Sequence, residues 1–199
     1  MREIAPLLLA LCLAGCAGAP PENPANACSI FKEKEDWYAA ARKAKQRWGV
    51  PISVQMAIIN QESSFVEDAR PPRNRFLGFI PLGRPTTAYG YGQAIDGTWA
   101  WYQEKTGKDD AERDEFEDVV DFIGWYTDQS RRRFGISKGD AYRQYLAYHE
   151  GHHGYQRGTY ATKARLLRAA RQVESSAAAY RRQLSRCRAE LEQALAYGD

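Results

Sequence analysis

Apolar residues along the chain recur at helical rather than strand spacing almost throughout. Trp37, Ala41, Ala44 and Trp48 form a stripe that Gly49 ends, which predicts a helix from about Ser29 to Trp48. Pro51 opens a second helix at its favoured first position. There Ile52, Val54, Met56, Ala57, Ile58 and Ile59 are apolar all round, the pattern of a buried central helix. Residues 70–88 hold four prolines and no helical period, so they read as a long loop, a feature that in compact domains usually carries function. Asp96 is placed to cap a short helix through Trp99 and Tyr102 to Gly107. Phe116, Val119, Val120, Ile123 and Tyr126 carry another, closed at Gly135, and Ser137 is placed to cap one through Tyr142, Tyr145 and Leu146.

The last segment is the most regular. Leu166, Ala170, Val173, Ala177, Tyr180, Leu184, Cys187, Leu191 and Ala194 alternate steps of four and three. This seam predicts one long helix or a pair broken near Ser175-Ser176. It fits burial against the first helix or a coiled-coil dimer; the expectation is internal packing and a monomer. No segment carries a convincing strand pattern, so the expected fold is all-α.

Composition narrows the function. A chain of 199 residues with twelve Tyr, seven Phe and five Trp has the means to build a core and is not disordered. Its 28 basic and 25 acidic side chains leave +3, too little to argue for nucleic acid. Residues 4–15 are almost wholly apolar, the length of a signal-peptide core and well short of the roughly 20 residues a membrane span needs. They end in Leu13-Ala14-Gly15-Cys16, which resembles the lipobox of bacterial lipoproteins; an ordinary secretory signal is the alternative. The lipobox implies a signal peptide over 1–15, a lipid on Cys16, and a tether over 16–27 containing Pro20, Pro21 and Pro24. The folded domain would then be 28–199, anchored in the cell envelope by its lipid alone. Ala17 resembles the sorting preference for an outer membrane facing the periplasm. With Cys12 removed and Cys16 acylated, Cys28 and Cys187 remain in an oxidising space, and a disulfide between the two ends of the domain is expected. Two buried free thiols are the alternative.

Glu62 is the candidate for chemistry. It lies four residues beyond Ile58 and eight beyond Val54, on the all-apolar helix near its C-terminal end. Apolar surroundings and the negative end of the helix dipole both disfavour the charged carboxylate. Both raise the pKa toward what a general acid needs near neutral pH. On this segment alone, a solvated helix end over Gln61 to Ser64 is the favoured reading.

Three spaced motifs bear on that choice. Glu62-Ser63-Ser64-Phe65 is similar to the Glu-Ser-x-Phe signature of soluble lytic transglycosylases and their goose-type lysozyme relatives. Ala88-Tyr89-Gly90-Tyr91-Gly92-Gln93 resembles the family's Gly-Leu-Met-Gln segment, matching at Gly90 and Gln93. Ala147-Tyr148-His149-Glu150-Gly151 resembles its Ala-Tyr-Asn-x-Gly. Trp48-Gly49-Val50-Pro51 resembles the lead-in to the catalytic helix, and the likeness spans roughly residues 37–160. The resemblance implies a lysozyme-like helical domain that cleaves the β-1,4 bond between N-acetylmuramic acid and N-acetylglucosamine and leaves a 1,6-anhydro product. Glu62 would be the single acid/base, without the second carboxylate of most glycosidases. Ser63, Gly90, Tyr91, Gln93, Tyr148 and His149 would contact the glycan strand, with Gly90 and Gly92 letting backbone approach the sugar. No cofactor, metal or nucleic acid is implied. Tyr91-Gly92 in place of Leu-Met and His149 in place of Asn depart from the pattern. A non-catalytic peptidoglycan-binding lipoprotein of the same fold is the alternative.

His149-Glu150-Gly151-His152-His153 also satisfies the zincin motif His-Glu-x-x-His, with His149 and His153 as ligands. That chemistry needs a continuous helix, which Gly151 and Gly154 oppose. Arg70, Arg73, Arg75 and Arg84 with Phe76 and Phe79 make the long loop basic and aromatic, as suits either a glycan cleft or a solvated loop. Arg131, Arg132 and Arg133 read as an exposed helix end at the negative dipole terminus.

Overall fold

A computed structural model describes residues 18–76 and 80–197. The described chain is helical apart from one short hairpin. Helix α1 (Ala27–Glu33) is capped by the Asn26 side chain, which accepts from the amides of Cys28 and Ser29. Lys34 then leaves the helical region at φ −117°, and α2 (Glu35–Trp48) follows, closed by left-handed Gly49. The single helix expected from Ser29 to Trp48 is therefore two. The break lets Ile30 and Phe31 bury toward the C-terminal helix, while Trp37, Tyr38, Ala41 and Ala44 are buried on a helix that packs against the helix Phe116–Phe134. One straight rod would not serve both contacts.

Helix α3 (Ile52–Ser63) runs through the middle of the molecule, and every residue from Ile52 to Ile59 is buried. Pro51 is its N-cap rather than its first residue. In the long loop, β1 (Arg75–Phe76) pairs antiparallel with β2 (Ile80–Pro81). Helix α4 (Asp96–Thr106) starts at Asp96 with Ile95 as its N-cap, so the Asp96 carboxylate does not cap; it pairs with Arg113 at 2.8 Å. Helix α5 (Phe116–Phe134) ends at left-handed Gly135. Helix α6 (Ala141–Gln156) is capped by Asp140, which accepts from the Arg143 amide; Ser137 serves only the preceding turn, through the Gly139 amide.

A 3-10 turn (Thr159–Thr162) leads into α7 (Ala164–Tyr197), a continuous helix of 34 residues that Ser175-Ser176 do not interrupt. Its seam is buried from Leu166 to Leu191 against α3, α6 and α1, whereas Ala194 is exposed. The seam is thus used inside the domain. Cys28 and Cys187 form a disulfide, with their Cα atoms 6.1 Å apart. The expected signal peptide (1–15) and the first two residues of the expected tether, with Cys12 and Cys16, lie outside the described residues, but Pro21 of the tether is already buried. Gln183 on α7 accepts from the Ala27 amide at 2.9 Å and donates to the Ala25 carbonyl at 3.0 Å. Tyr180 donates to the Pro24 carbonyl and accepts from Asn60 on α3.

A buried carboxylate knits the other side of the fold. Asp121 on α5 accepts from the Trp48 indole at 2.8 Å, the Tyr102 hydroxyl at 2.8 Å and Arg47 at 3.1 Å. Donors from α2 and α4 thereby converge on one charge carried by α5 and satisfy it.

Candidate active site

Helix α3 delivers Glu62 in its last turn. The two residues after the helix, Ser64 at φ 52° and Phe65 at φ 63°, are both left-handed without being glycine. Such backbone persists only where packing holds it. Phe65 is fully buried beside Trp37, with ring centroids 5.9 Å apart. The turn stops the helix one residue past Glu62.

The Glu62 Oε1 atom is buried and has no hydrogen-bond partner among the described residues. Burial pushes its pKa from 4.5 up to about 7; the Tyr145 hydroxyl, which faces the carboxyl group from α6, pulls it the other way. Glu62 opens onto a cleft of ≈ 370 Å³, whose other walls include Gln93, Tyr148, His149, Glu150 and Gly151. The long loop contributes Thr86 and Ala88 to the rim, and α4 contributes Thr98. Beyond His149 the trough adjoins a hollow bordered by Gln61, Tyr145, Lys163 and Arg165.

The residues expected to contact a glycan separate into two sets. Glu62, Gln93, Tyr148 and His149 share the cleft. Gln93, left-handed at φ 48°, spends its amide nitrogen on the carbonyls of Ala69 (2.8 Å) and Gly90 (2.9 Å), leaving its side-chain oxygen for a ligand. Tyr148 donates to the Gly92 carbonyl at 2.5 Å. Ser63, Gly90 and Tyr91 are not among the residues that line the cleft. The Ser63 hydroxyl turns back to the Ile59 carbonyl. Gly90, at φ 75°, leaves room for the Arg113 carbonyl, which a Cβ would meet at 1.9 Å. At Gly92 a Cβ would stand 2.9 Å from the Tyr148 hydroxyl. Both glycines therefore serve close approaches within the protein. Tyr91 is buried edge-on to Trp37 and Phe116.

Two residues in or beside the cleft carry signals that the motifs alone do not single out. Tyr145 sits three residues before Tyr148 on α6 and so shares its face. Glu150 is a second carboxylate on the cleft wall. Its side chain is only 3% exposed, with Lys163 at 2.8 Å, the Thr159 hydroxyl in contact and His149 Nδ1 at 3.4 Å. Burial would raise its pKa, but the hydrogen bonds from Lys163 and Thr159 outweigh that and hold it below the usual value. The cleft thus holds one carboxyl group whose neutral form is favoured and one whose charged form is favoured, the division that separates acid from spectator.

The zincin geometry is not built. Gly151 breaks α6 at φ 70°, ψ 160°, separating His149 from His153. His152 is buried, stacked on Tyr126 at 4.3 Å with Nε2 3.0 Å from Ser130 Oγ, and burial drops its pKa to about 4. Among the described residues no three His, Cys, Asp or Glu side chains converge. In the long loop, Arg70 stacks over Tyr89 at 4.0 Å and Arg84 donates to the Pro71 carbonyl. The side chains of Arg75 and Phe76, and Phe79 entirely, lie outside what is described.

Neither a curated protein nor a solved structure matches the chain. A family model described as the transglycosylase SLT domain matches residues 4–187.

Proposed function

The chain belongs to the transglycosylase SLT family, and we propose that it cleaves the β-1,4 bond between N-acetylmuramic acid and N-acetylglucosamine in peptidoglycan, with Glu62 as its single acid/base. Neutral Glu62 donates its proton to the glycosidic oxygen as the bond to C1 of the muramoyl residue breaks. The resulting carboxylate then takes the proton of the muramoyl C6 hydroxyl as that oxygen bonds to C1. The product is a 1,6-anhydro sugar, and Glu62 regains its proton without water or a second carboxylate. The observation that carries this reading is the Glu62 carboxyl group on the cleft, whose buried Oε1 has no partner among the described residues and whose pKa burial raises to about 7. Glu150 suits neither role, because Lys163 and Thr159 occupy its oxygens. Tyr148 and Gln93 orient sugar, and His149 presents a half-exposed imidazole to the same trough. In this reading Cys16 carries a lipid and holds the enzyme in the cell envelope.

Digestion of purified sacculi followed by mass spectrometry of the muropeptides tests the proposal. Anhydromuramoyl ends, absent with Glu62→Gln, are expected. Reducing muramoyl ends would make the enzyme a hydrolase, and no released product would overturn the enzymatic reading.

A further inference from the structure

The cleft does not end at Gly151. A second hollow of ≈ 380 Å³ shares Thr98, Tyr126, Glu150 and Gly151 with it and continues to Trp101 and Arg133. Arg133 is the last of three successive arginines at the end of α5, and the three are not equivalent. Arg131 donates to the Gly135 carbonyl at 3.0 Å, and Arg132 pairs with Asp128 at 2.6 Å. Arg133 has no ion pair or hydrogen bond among the described residues. Its guanidinium instead lies 5.1 Å from the centre of the Trp101 ring. That ring is wedged against Trp125 at 4.4 Å and His152 at 5.8 Å, both edge-on, so the platform under the cation is fixed. The one carboxylate bordering the hollow, Glu150, is already engaged by Lys163.

A stacked guanidinium keeps its in-plane N–H donors free, and they fit a carboxylate. The occupant proposed for the trough is a strand in which every second sugar is muramic acid. Each such sugar bears a carboxylate, either on its lactyl arm or on the stem peptide attached there. We propose that Trp101 and Arg133 form a subsite for a muramoyl-borne carboxylate away from the bond that breaks, selecting muramoyl strands over neutral N-acetylglucosamine polymers. This rests on the glycan-cleaving reading above.

Binding is measured by calorimetry on the Glu62→Gln protein, which leaves the ligands intact. The ligands are peptide-free strands of N-acetylglucosamine and N-acetylmuramic acid, peptide-bearing strands, and neutral chitin oligosaccharides of matching length. Adding Arg133→Ala should weaken binding of the acidic strands by about three- to tenfold and leave the chitin oligosaccharides unchanged. A loss already present with peptide-free strands assigns the lactyl carboxylate; a loss confined to peptide-bearing strands assigns the peptide. Equal loss on the neutral ligand, equal loss with Arg131→Ala, no loss, or no binding of acidic strands overturns the subsite. Sacculus digestion by the unaltered protein reads the enzymatic proposal independently, so one can fail without the other.

Discussion

Glu62 holds its proton more tightly in the folded chain than in the unfolded one, and two measurable effects follow. In the proposed role of general acid it is competent only while protonated, so activity should fall as pH rises through about 7. Glu62→Gln should lower turnover by about a thousandfold at a pH where the acid form dominates, with the far-ultraviolet spectrum unchanged. The same shift acts on stability. The contribution of the bound proton is complete below pH 4.5 and is lost as pH climbs through about 7. Urea denaturation should therefore find Glu62→Gln more stable than the parent by about 3 kcal/mol above pH 7, with that advantage gone below pH 4.5. Tyr145 favours the charged form, so Tyr145→Phe should move the alkaline limb of the rate profile to higher pH. Glu62 was readable because an apolar helix and a Glu-Ser-Ser-Phe ending coincide there. Tyr145 was not singled out, because in a sequence it counts as one more core aromatic, and only its hydroxyl faces the site.

Elements position that residue through their ends and breaks. Helix α6 sets Tyr145 against the Glu62 carboxyl group and brings Tyr148 and His149 to the cleft, then bends at Gly151, whose φ 70° and ψ 160° suit glycine almost alone. Gly151→Ala should cost about 1–3 kcal/mol of stability in a denaturant titration and displace the lower wall of the trough. At Gly92 the constraint is contact: a Cβ would push the Tyr148 hydroxyl from the carbonyl it holds. Gly92→Ala should thus reduce cleavage about tenfold and also lower the melting temperature, since the added methyl would stand 2.9 Å from the Tyr148 hydroxyl and 3.1 Å from the buried Val119 side chain. Periodicity located each of these helices because their buried faces repeat every three to four residues. It missed the break at Lys34, since lysine is an ordinary helix former and the bend is imposed by α7 and α5 pulling the two halves toward different partners. It also placed caps at Ser137 and Asp96, where the neighbouring geometry, not the residue type, decides which side chain reaches an amide.

At the scale of the whole molecule, the all-α architecture and the shared trough follow from patterns visible in the chain, whereas the neutralising partner of Glu150 does not, because Lys163 lies 13 residues away across a turn. The Cys28–Cys187 bridge closes a separation of 159 residues and joins the first helix to the last. On the chain-entropy account, Cys28→Ser with Cys187→Ser should lose about 3–5 kcal/mol, and reductant should lower the melting temperature of the parent but not of the double variant. Removing Asp121, on which α2, α4 and α5 converge, should be comparably severe: Asp121→Ala should cost about 3 kcal/mol in urea, because the Tyr102 and Trp48 donors are left without an acceptor.

The burial of Pro21 also sets a working distance. With a lipid on Cys16, as proposed, only residues 17–20 separate the bilayer surface from the buried Pro21. Fully stretched, so few residues span under ~20 Å. Such an enzyme would graze only the stratum of wall lying directly against its membrane, and material farther out would become accessible only to a form released from its lipid.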